Sequence, residues 1–147
     1  MKTRGAIRIV ANSVSAFVFR RRRDGYRFLL LRRSRAYGGY WQSVSGRVRS
    51  RERAEAAAAR ETLEETGLRA TRVTPIDFIN AYYDDGRIYL EPCFGVEVGD
   101  GEVRLSKEHV EYRWASASAA ARLLHWPGNR AAFDCLVQEL RRTPRVS

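Results

Sequence analysis

Disulfide chemistry has almost no material to work with, because the 147-residue chain carries two cysteines, Cys93 and Cys135. They lie far apart and fit no metal-ligand spacing, so both read as small hydrophobes. No apolar run approaches the ~18–20 residues of a transmembrane helix, which excludes a membrane-spanning helical protein. The segment Met1–Val10 is basic, but it lacks the apolar stretch and small-residue cleavage site of a signal peptide. A cytoplasmic protein with no membrane partner is the expectation. Lysine is nearly missing as well. Lys2 and Lys107 are the only ones, so arginine supplies nearly all of the net charge of +10. Such a surface attracts polyanions. A small polyphosphate substrate, a nucleic acid, or genome composition with no specific partner all fit it. Repeats and low-complexity linkers are absent too. The length predicts one domain over residues 1–147, able to bury roughly two-thirds of its unfolded surface without disulfides.

Residues 7–19 are rich in β-branched and aromatic side chains and predict a strand region, followed by a hairpin signal at Asp24-Gly25. Residues 28–31, Phe-Leu-Leu-Leu, form a continuous apolar run, as in a strand covered on both faces. Tyr37-Gly38-Gly39 reads as a turn and residues 41–48 as one short strand. Residues 52–66 predict the clearest helix, stopped by Gly67. Two strands over 73–83 and 87–98 are joined at Asp84-Asp85-Gly86. A last strand is expected over 110–114, then helices over 116–124 and 129–142, separated by Pro127-Gly128. Strands, helix, strands, helices suggest a mixed sheet with helices on its faces.

On a helical wheel, Glu61, Glu64 and Glu65 share an arc of about 100°, and Ala56, Ala59 and Leu63 form an apolar stripe opposite. Like charges at these spacings repel by ~0.2–0.5 kcal/mol per pair. They also sit at the helix end that disfavours negative charge. Arg60 can offset part of this by pairing with Glu64. A divalent cation is the stronger compensation, since Mg²⁺ prefers carboxylate oxygens and water and shares them with substrate phosphates. The alternative is a solvated acidic face.

The surrounding residues favour the cation. Gly46, five residues, Glu52, seven residues, then Arg60-Glu61-Thr62-Leu63-Glu64-Glu65-Thr66-Gly67-Leu68 match the pattern G-x5-E-x7-R-E-U-x-E-E-x-G-U, where U is a bulky aliphatic and Thr62 is the one departure. Here the chain resembles the Nudix hydrolases. The resemblance implies an α/β (α+β) Nudix fold, an α/β/α sandwich around a mixed sheet with a loop–helix–loop box. It also implies that Glu61, Glu64 and Glu65 hold one or more Mg²⁺ ions (Mn²⁺ as a possible substitute), that Arg60 orients the carboxylates, and that the Gly46 backbone approaches metal and substrate. Glu52 and Gly67 hold the motif's shape. The reaction expected is metal-dependent hydrolysis of a diphosphate linkage in a small polyphosphate substrate.

Outside this motif the chain is similar to bacterial dihydroneopterin triphosphate pyrophosphatases in three segments: Trp41-Gln42-Ser43-Val44-Ser45-Gly46; Glu108-His109 followed by Tyr112 and Trp114; and Trp126, Asn129, Arg130 after an alanine-rich stretch. That resemblance implies release of pyrophosphate from a pterin or nucleoside triphosphate. Glu108 would be a further metal ligand or base, and His109 a substrate contact. Arg33 could grip phosphate through its fork, Ser45 could hydrogen-bond the substrate, and Trp41 could stack on a ring or pack in the core. Trp126 and Asn129 read as C-terminal structure. The basic loop Arg47-Val48-Arg49-Ser50-Arg51 departs from the acids and glycine common in such boxes. Dinucleoside polyphosphates, nucleotide sugars and oxidised nucleotides remain alternative substrates. A non-catalytic module binding nucleotide or nucleic acid is the alternative from another class. Oligomeric state, monomer or homodimer, is open.

Overall fold

A computed structural model describes residues 5–142; the first four residues of the basic N-terminal segment and residues 143–147 lie outside the described residues. The chain runs β1 (Arg8–Val10), β2 (Ser13–Arg22), β3 (Gly25–Arg33), a 3-10 turn (Arg35–Tyr37), β4 (Trp41–Gln42), β5 (Val44–Arg47), α1 (Ala54–Thr66), β6 (Ala70–Asp84), β7 (Arg87–Val98), β8 (His109–Ala115), α2 (Ala117–Leu123) and α3 (Pro127–Arg142). Eight strands form one mixed sheet: β7 runs parallel to β1 and β2 and antiparallel to β6. This is the mixed sheet with helices on its faces expected from the sequence.

The alternation of side chains along a strand splits the core in two. On β2 and β3, Val14, Ala16, Val18, Leu29 and Leu31 face the cluster that includes Ala57 and Ala58 of α1. Phe17, Phe19, Phe28 and Leu30 face a second cluster with Ala120, Leu124, Phe133 and Leu136 from α2 and α3 and the short link between them. Residues 28–31 are therefore buried on both faces, as the continuous apolar run predicts.

β2 and β3 pair only from Phe19–Phe28 down to the Arg22–Gly25 hairpin end. Beyond it they diverge, and β4 pairs with β3 while β5 pairs with β2. The single strand expected over 41–48 is thus two, broken at Ser43, because its two halves serve two different partners. The divergence opens the sheet where the site lies.

Two expectations about helices are corrected. α1 buries Ala57, Ala58, Thr62, Glu65 and Thr66, while Ala56 and Leu63 are exposed and Ala59 only half-buried. The packing stripe is Ala58–Thr62–Glu65, at i, i+4, i+7. The wheel failed because it kept all three acids on the solvent side, whereas one is drawn inward. Thr62 substitutes well for an aliphatic residue: its hydroxyl donates to the Ala58 carbonyl (2.8 Å), and Thr66 donates to the Thr62 carbonyl (2.6 Å), leaving only methyls to pack. Second, Pro127-Gly128 do not separate the last helices but begin α3, since proline suits the first helical position, where no N–H partner is needed.

Candidate metal and phosphate site

Arg60 organises the acids of α1. Its Nε and Nη2 donate to both oxygens of Glu52 (2.8 and 2.9 Å), Nη1 donates to Glu61 (2.9 Å) and Glu64 (3.2 Å), and Nη2 also donates to the Arg47 carbonyl (2.8 Å). The fork explains why Glu52 sits eight residues earlier: it accepts the bidentate grip and also the Arg49 N–H (3.0 Å). The Arg60 bonds hold the Glu52 carboxyl at about 2, and Glu52 in turn raises the Arg60 guanidinium. The basic loop joins in through Arg49, whose guanidinium lies 3.3 Å from Glu64.

Gly46 is required by contact. A Cβ there would lie 2.1 Å from the Glu61 carboxyl carbon, so glycine leaves the Glu61 side chain the place it takes against β5. Within the basic loop, Arg51 has φ 64°, the left-handed region. That conformation costs a side chain ~1–2 kcal/mol, against the ~0.5–1 kcal/mol by which glycine's freedom weakens a fold. Arg51→Gly is expected to raise Tm by a few degrees or less; a lower Tm in calorimetry would show compensating contacts from the arginine side chain.

Glu65 is 4% exposed. It clusters with Glu108 and His109, the three offering ligand atoms within 4.8 Å of one another. Glu108 and His109, which begins β8, come from a segment over forty residues away in sequence; pairing of β8 with β3 sets His109 opposite Arg33. Burial first, and then Glu108 and Glu61, push the Glu65 carboxyl up to about 9, with the Ser45 backbone N–H working the other way. Glu61 is raised too, by burial and by Glu64 and Glu108 against the opposing pull of Arg60. The Gln42 amide donates to His109 Nε2 (2.9 Å) with the amide as placed, which leaves the ring proton on Nδ1. Burial lowers the His109 pKa.

Two buried atoms of this cluster, Glu65 Oε2 and His109 Nδ1, have no hydrogen-bond partner among the described residues. An orphaned carboxylate oxygen amid mutually repelling acids is costly unless something positive sits beside it. Oxygen donors of this kind fit a hard divalent cation, so Glu61, Glu65 and Glu108 could hold one, with Glu64 at the rim.

The same groups set a pH dependence for the chelated protein. The Glu65 carboxyl is raised from 4.5 to about 9 in the fold, so the folded state keeps a proton that the unfolded chain has lost. The associated stability is fully present below pH 4.5 and declines as pH rises through 9. In EDTA, the Glu65 contribution should therefore make Tm fall across this window, and Glu65→Gln should flatten that slope. An equal slope in both proteins would contradict the assignment.

A cavity of about 760 Å³ adjoins the cluster. Ser45 joins the two, lining the cavity while its N–H faces Glu65. Arg33 also lines it, and its Nε is buried with no hydrogen-bond partner among the described residues. Of the expected substrate contacts, Arg33 and Ser45 therefore reach the cavity, and His109 stands behind Gln42. Trp41 is not on its wall: it packs with the second core cluster, bridges to Leu124 and takes Arg113 over its ring at 5.0 Å. Trp126 and Asn129, read as C-terminal structure, do line the cavity, along with Tyr40, Asn80, Tyr82 and Glu91. Tyr40 stacks on His125 (5.1 Å) and meets Trp126 edge-on (5.4 Å). Arg130 is structural, donating to the Leu124 carbonyl (2.8 Å). The one sequence signal for the unforeseen wall is Ser13 and Ser15, two hydroxyls at strand spacing just before the apolar run 16–19 of β2.

No helix among the described residues is long and apolar enough to cross a membrane. Both cysteines are free thiols; Cys93 is buried and pushed up to about 12 by that burial.

Comparison with known proteins agrees with this geometry. An octanoyltransferase of Myxococcus xanthus is 37% identical over 123 residues, 80% of this chain but 34% of the relative, so the chain spans about a third of that protein's length. The asymmetrical bis(5'-nucleosyl)-tetraphosphatase of Sus scrofa is 30% identical over 128 residues, covering 80% of this chain and 86% of the relative. Among solved structures, a NUDIX hydrolase from Listeria monocytogenes superposes with TM-score 0.75 at 27% identity, covering 88% of this chain and 94% of that one. The dihydroneopterin triphosphate pyrophosphohydrolase of E. coli gives 0.67 at 27% identity, covering 86% and 95%. Residues 11–135 match the NUDIX domain family, and the chain accordingly belongs to the Nudix family.

Proposed function

We propose that the protein is a Mg²⁺-dependent hydrolase of a nucleoside polyphosphate, with a dinucleoside tetraphosphate the first candidate substrate. The observation that carries this reading is the large aromatic- and amide-walled cavity meeting the Glu65–Glu108–His109 cluster through Ser45. The tetraphosphate is preferred because the Sus scrofa relative aligns with this chain over most of both lengths. We read residues 1–147 as one domain in the cytoplasm.

Glu61, Glu64, Glu65 and Glu108 would hold the cation and Arg60 would keep Glu61 and Glu64 aimed. A bound Mg²⁺ or Mn²⁺ supplies neutralisation of the phosphate charge and a more acidic water. Arg33 grips a phosphate oxygen with its guanidinium fork. A carboxylate of the cluster accepts the proton of the attacking water. Tyr40, Tyr82 and Trp126 offer ring faces for a base.

A second reading, hydrolysis of dihydroneopterin triphosphate or a dNTP, is favoured by Glu108-His109, Tyr112 and Trp114 together with Trp126 and Asn129. The acyl transfer in the Myxococcus xanthus relative's name is not carried over. Cys93, with its raised pKa, is the reverse of an activated nucleophile. Purified protein with Mg²⁺ and a panel of diadenosine tetraphosphate, dATP, dihydroneopterin triphosphate and nucleotide sugars decides between them. The proposal expects ATP and AMP from the tetraphosphate at the highest kcat/KM. Faster pyrophosphate release from the pterin would transfer the assignment to the second reading, and no hydrolysis of any would contradict both.

A further inference from the structure

One carboxylate on the cavity wall has no place in the chemistry above. Glu91, on β7, is half-buried, lines the cavity and accepts hydrogen bonds from two hydroxyls of the neighbouring strand: Ser15 Oγ on one oxygen (2.5 Å) and Ser13 Oγ on the other (3.2 Å). Ser15 is 1% exposed. In a chain with 27 basic against 17 acidic residues, Glu91 forms no ion pair among the described residues.

Satisfying the two serines does not require a charge. Each hydroxyl needs one acceptor, and a carboxylate has about four acceptor positions, so the remaining capacity faces the cavity. A fixed negative charge on the wall of a site for a polyanion is unfavourable unless the bound molecule brings a donor to it. Position limits which part of the substrate that is. Ser15 pairs with Ser45 in register, one strand spacing or ~4.8 Å away, and Ser45 adjoins the acid cluster. Tyr82 lies on the same wall, stacked on Tyr89 at 5.0 Å. Burial and then the Glu91 charge raise its phenol pKa, so the two side chains are close. A base on the Tyr82 face would present its edge, or its ribose, to Glu91.

We propose that Glu91, fixed by Ser13 and Ser15, is a specificity-determining residue that accepts a hydrogen bond from the nucleoside next to the scissile linkage, from the base's exocyclic amine or from the ribose 2'-hydroxyl. This rests on the nucleotide reading above. Both donors use the same acceptor chemistry, and the ligand comparison separates them. Arg33 and the acid cluster take the phosphates, so the wall carries an anion grip and, in Glu91, a separate acceptor for the nucleoside, and the two together orient the nucleotide.

The test is equilibrium binding of AMP, 2'-deoxy-AMP and IMP in EDTA, followed by calorimetry or by tryptophan fluorescence, for the wild-type chain and Glu91→Gln. Glutamine keeps the shape and one oxygen for a serine but removes the charge. The proposal expects Glu91→Gln to weaken AMP by about 10–100-fold, the scale of one charge-assisted hydrogen bond. It also expects the wild type to bind one of the two analogues correspondingly more weakly than AMP, with that difference gone in the variant. Loss with 2'-deoxy-AMP assigns the ribose, and loss with IMP assigns the amine. Equal binding of all three by the wild type overturns the proposal even if the variant does not fold, and leaves the nucleotide reading in place. Failure of the wild type to bind AMP at all overturns both.

Discussion

Glu65→Gln is expected to lower kcat by about 10²–10⁴-fold, the range for losing one positioned group in a charge-stabilising site, and at the same time to raise the Tm of the chelated protein at pH 7–9. The two effects have one cause. The Glu65 carboxyl is buried beside Glu61 and Glu108, with one oxygen lacking any partner among the described residues. Its charge is unfavourable for the fold alone and becomes useful only when a cation or an activated water is there to meet it. A glutamine of the same shape removes the penalty and the chemistry together. Structural sites do not behave this way: were Glu65 only a packing residue, the variant would keep its activity. Measuring kcat and the chelated Tm on the same preparation checks both, and a variant that loses stability without losing activity would refute the account.

Gly46→Ala is the second large effect expected. The new methyl would fall on the Glu61 carboxyl. Overpacking of this kind typically costs ~1–3 kcal/mol. The strand cannot retreat freely, because Gly46 is paired with Val14 in the centre of the fold. Glu61 must therefore swing away, taking with it the Arg60 bond at 2.9 Å. Because Arg60 also holds Glu52 and Glu64, the disturbance spreads across the acids. Activity is expected to fall by two orders of magnitude or more (about 10² at least, as for an Å-scale misplacement in a site), with Tm lowered. Wild-type kcat in this variant would show that α1 tolerates a wider gap.

Much of this was legible in the sequence where the signal is local. Gly67 stops α1 in the left-handed conformation, φ 76°. The two Asp-Gly signals mark the β2–β3 and β6–β7 hairpins, and the spacing of Gly46, Glu52 and Arg60 is explained by contacts each of them makes. What stayed hidden depends on which surfaces approach one another. The wheel could not show that α1 turns Glu65 toward β5, since the apolar content of that helix is alanine on several faces. Nor could it show that the start of α3 closes the cavity. That follows from Gly128 giving room to Asn80 of β6, where a Cβ would meet the amide oxygen, and it brings Trp126 and Asn129 onto the wall. Trp41 went the other way, into the core, because β4 pairs with β3 beside Leu124.

The departures from the motif gain physical meaning in the same way. Thr62 packs as an aliphatic residue once its hydroxyl is closed on Ala58. The arginine-rich loop places Arg49 against Glu64 and gives up the Arg47 carbonyl to Arg60, so part of the arginine excess balances the acids of α1.

The most direct test of the central claim is calorimetric binding of Mn²⁺ to the substrate-free protein, wild type beside Glu65→Gln, at pH 7.5–8.5, with circular dichroism to verify the fold. The account predicts saturable binding to the wild type that strengthens with pH, as protons leave the acid cluster, and that is lost or weakened at least ~10-fold in the variant, by analogy with lost metal-site partners. Equal binding to both proteins, with no dependence on pH, would contradict it.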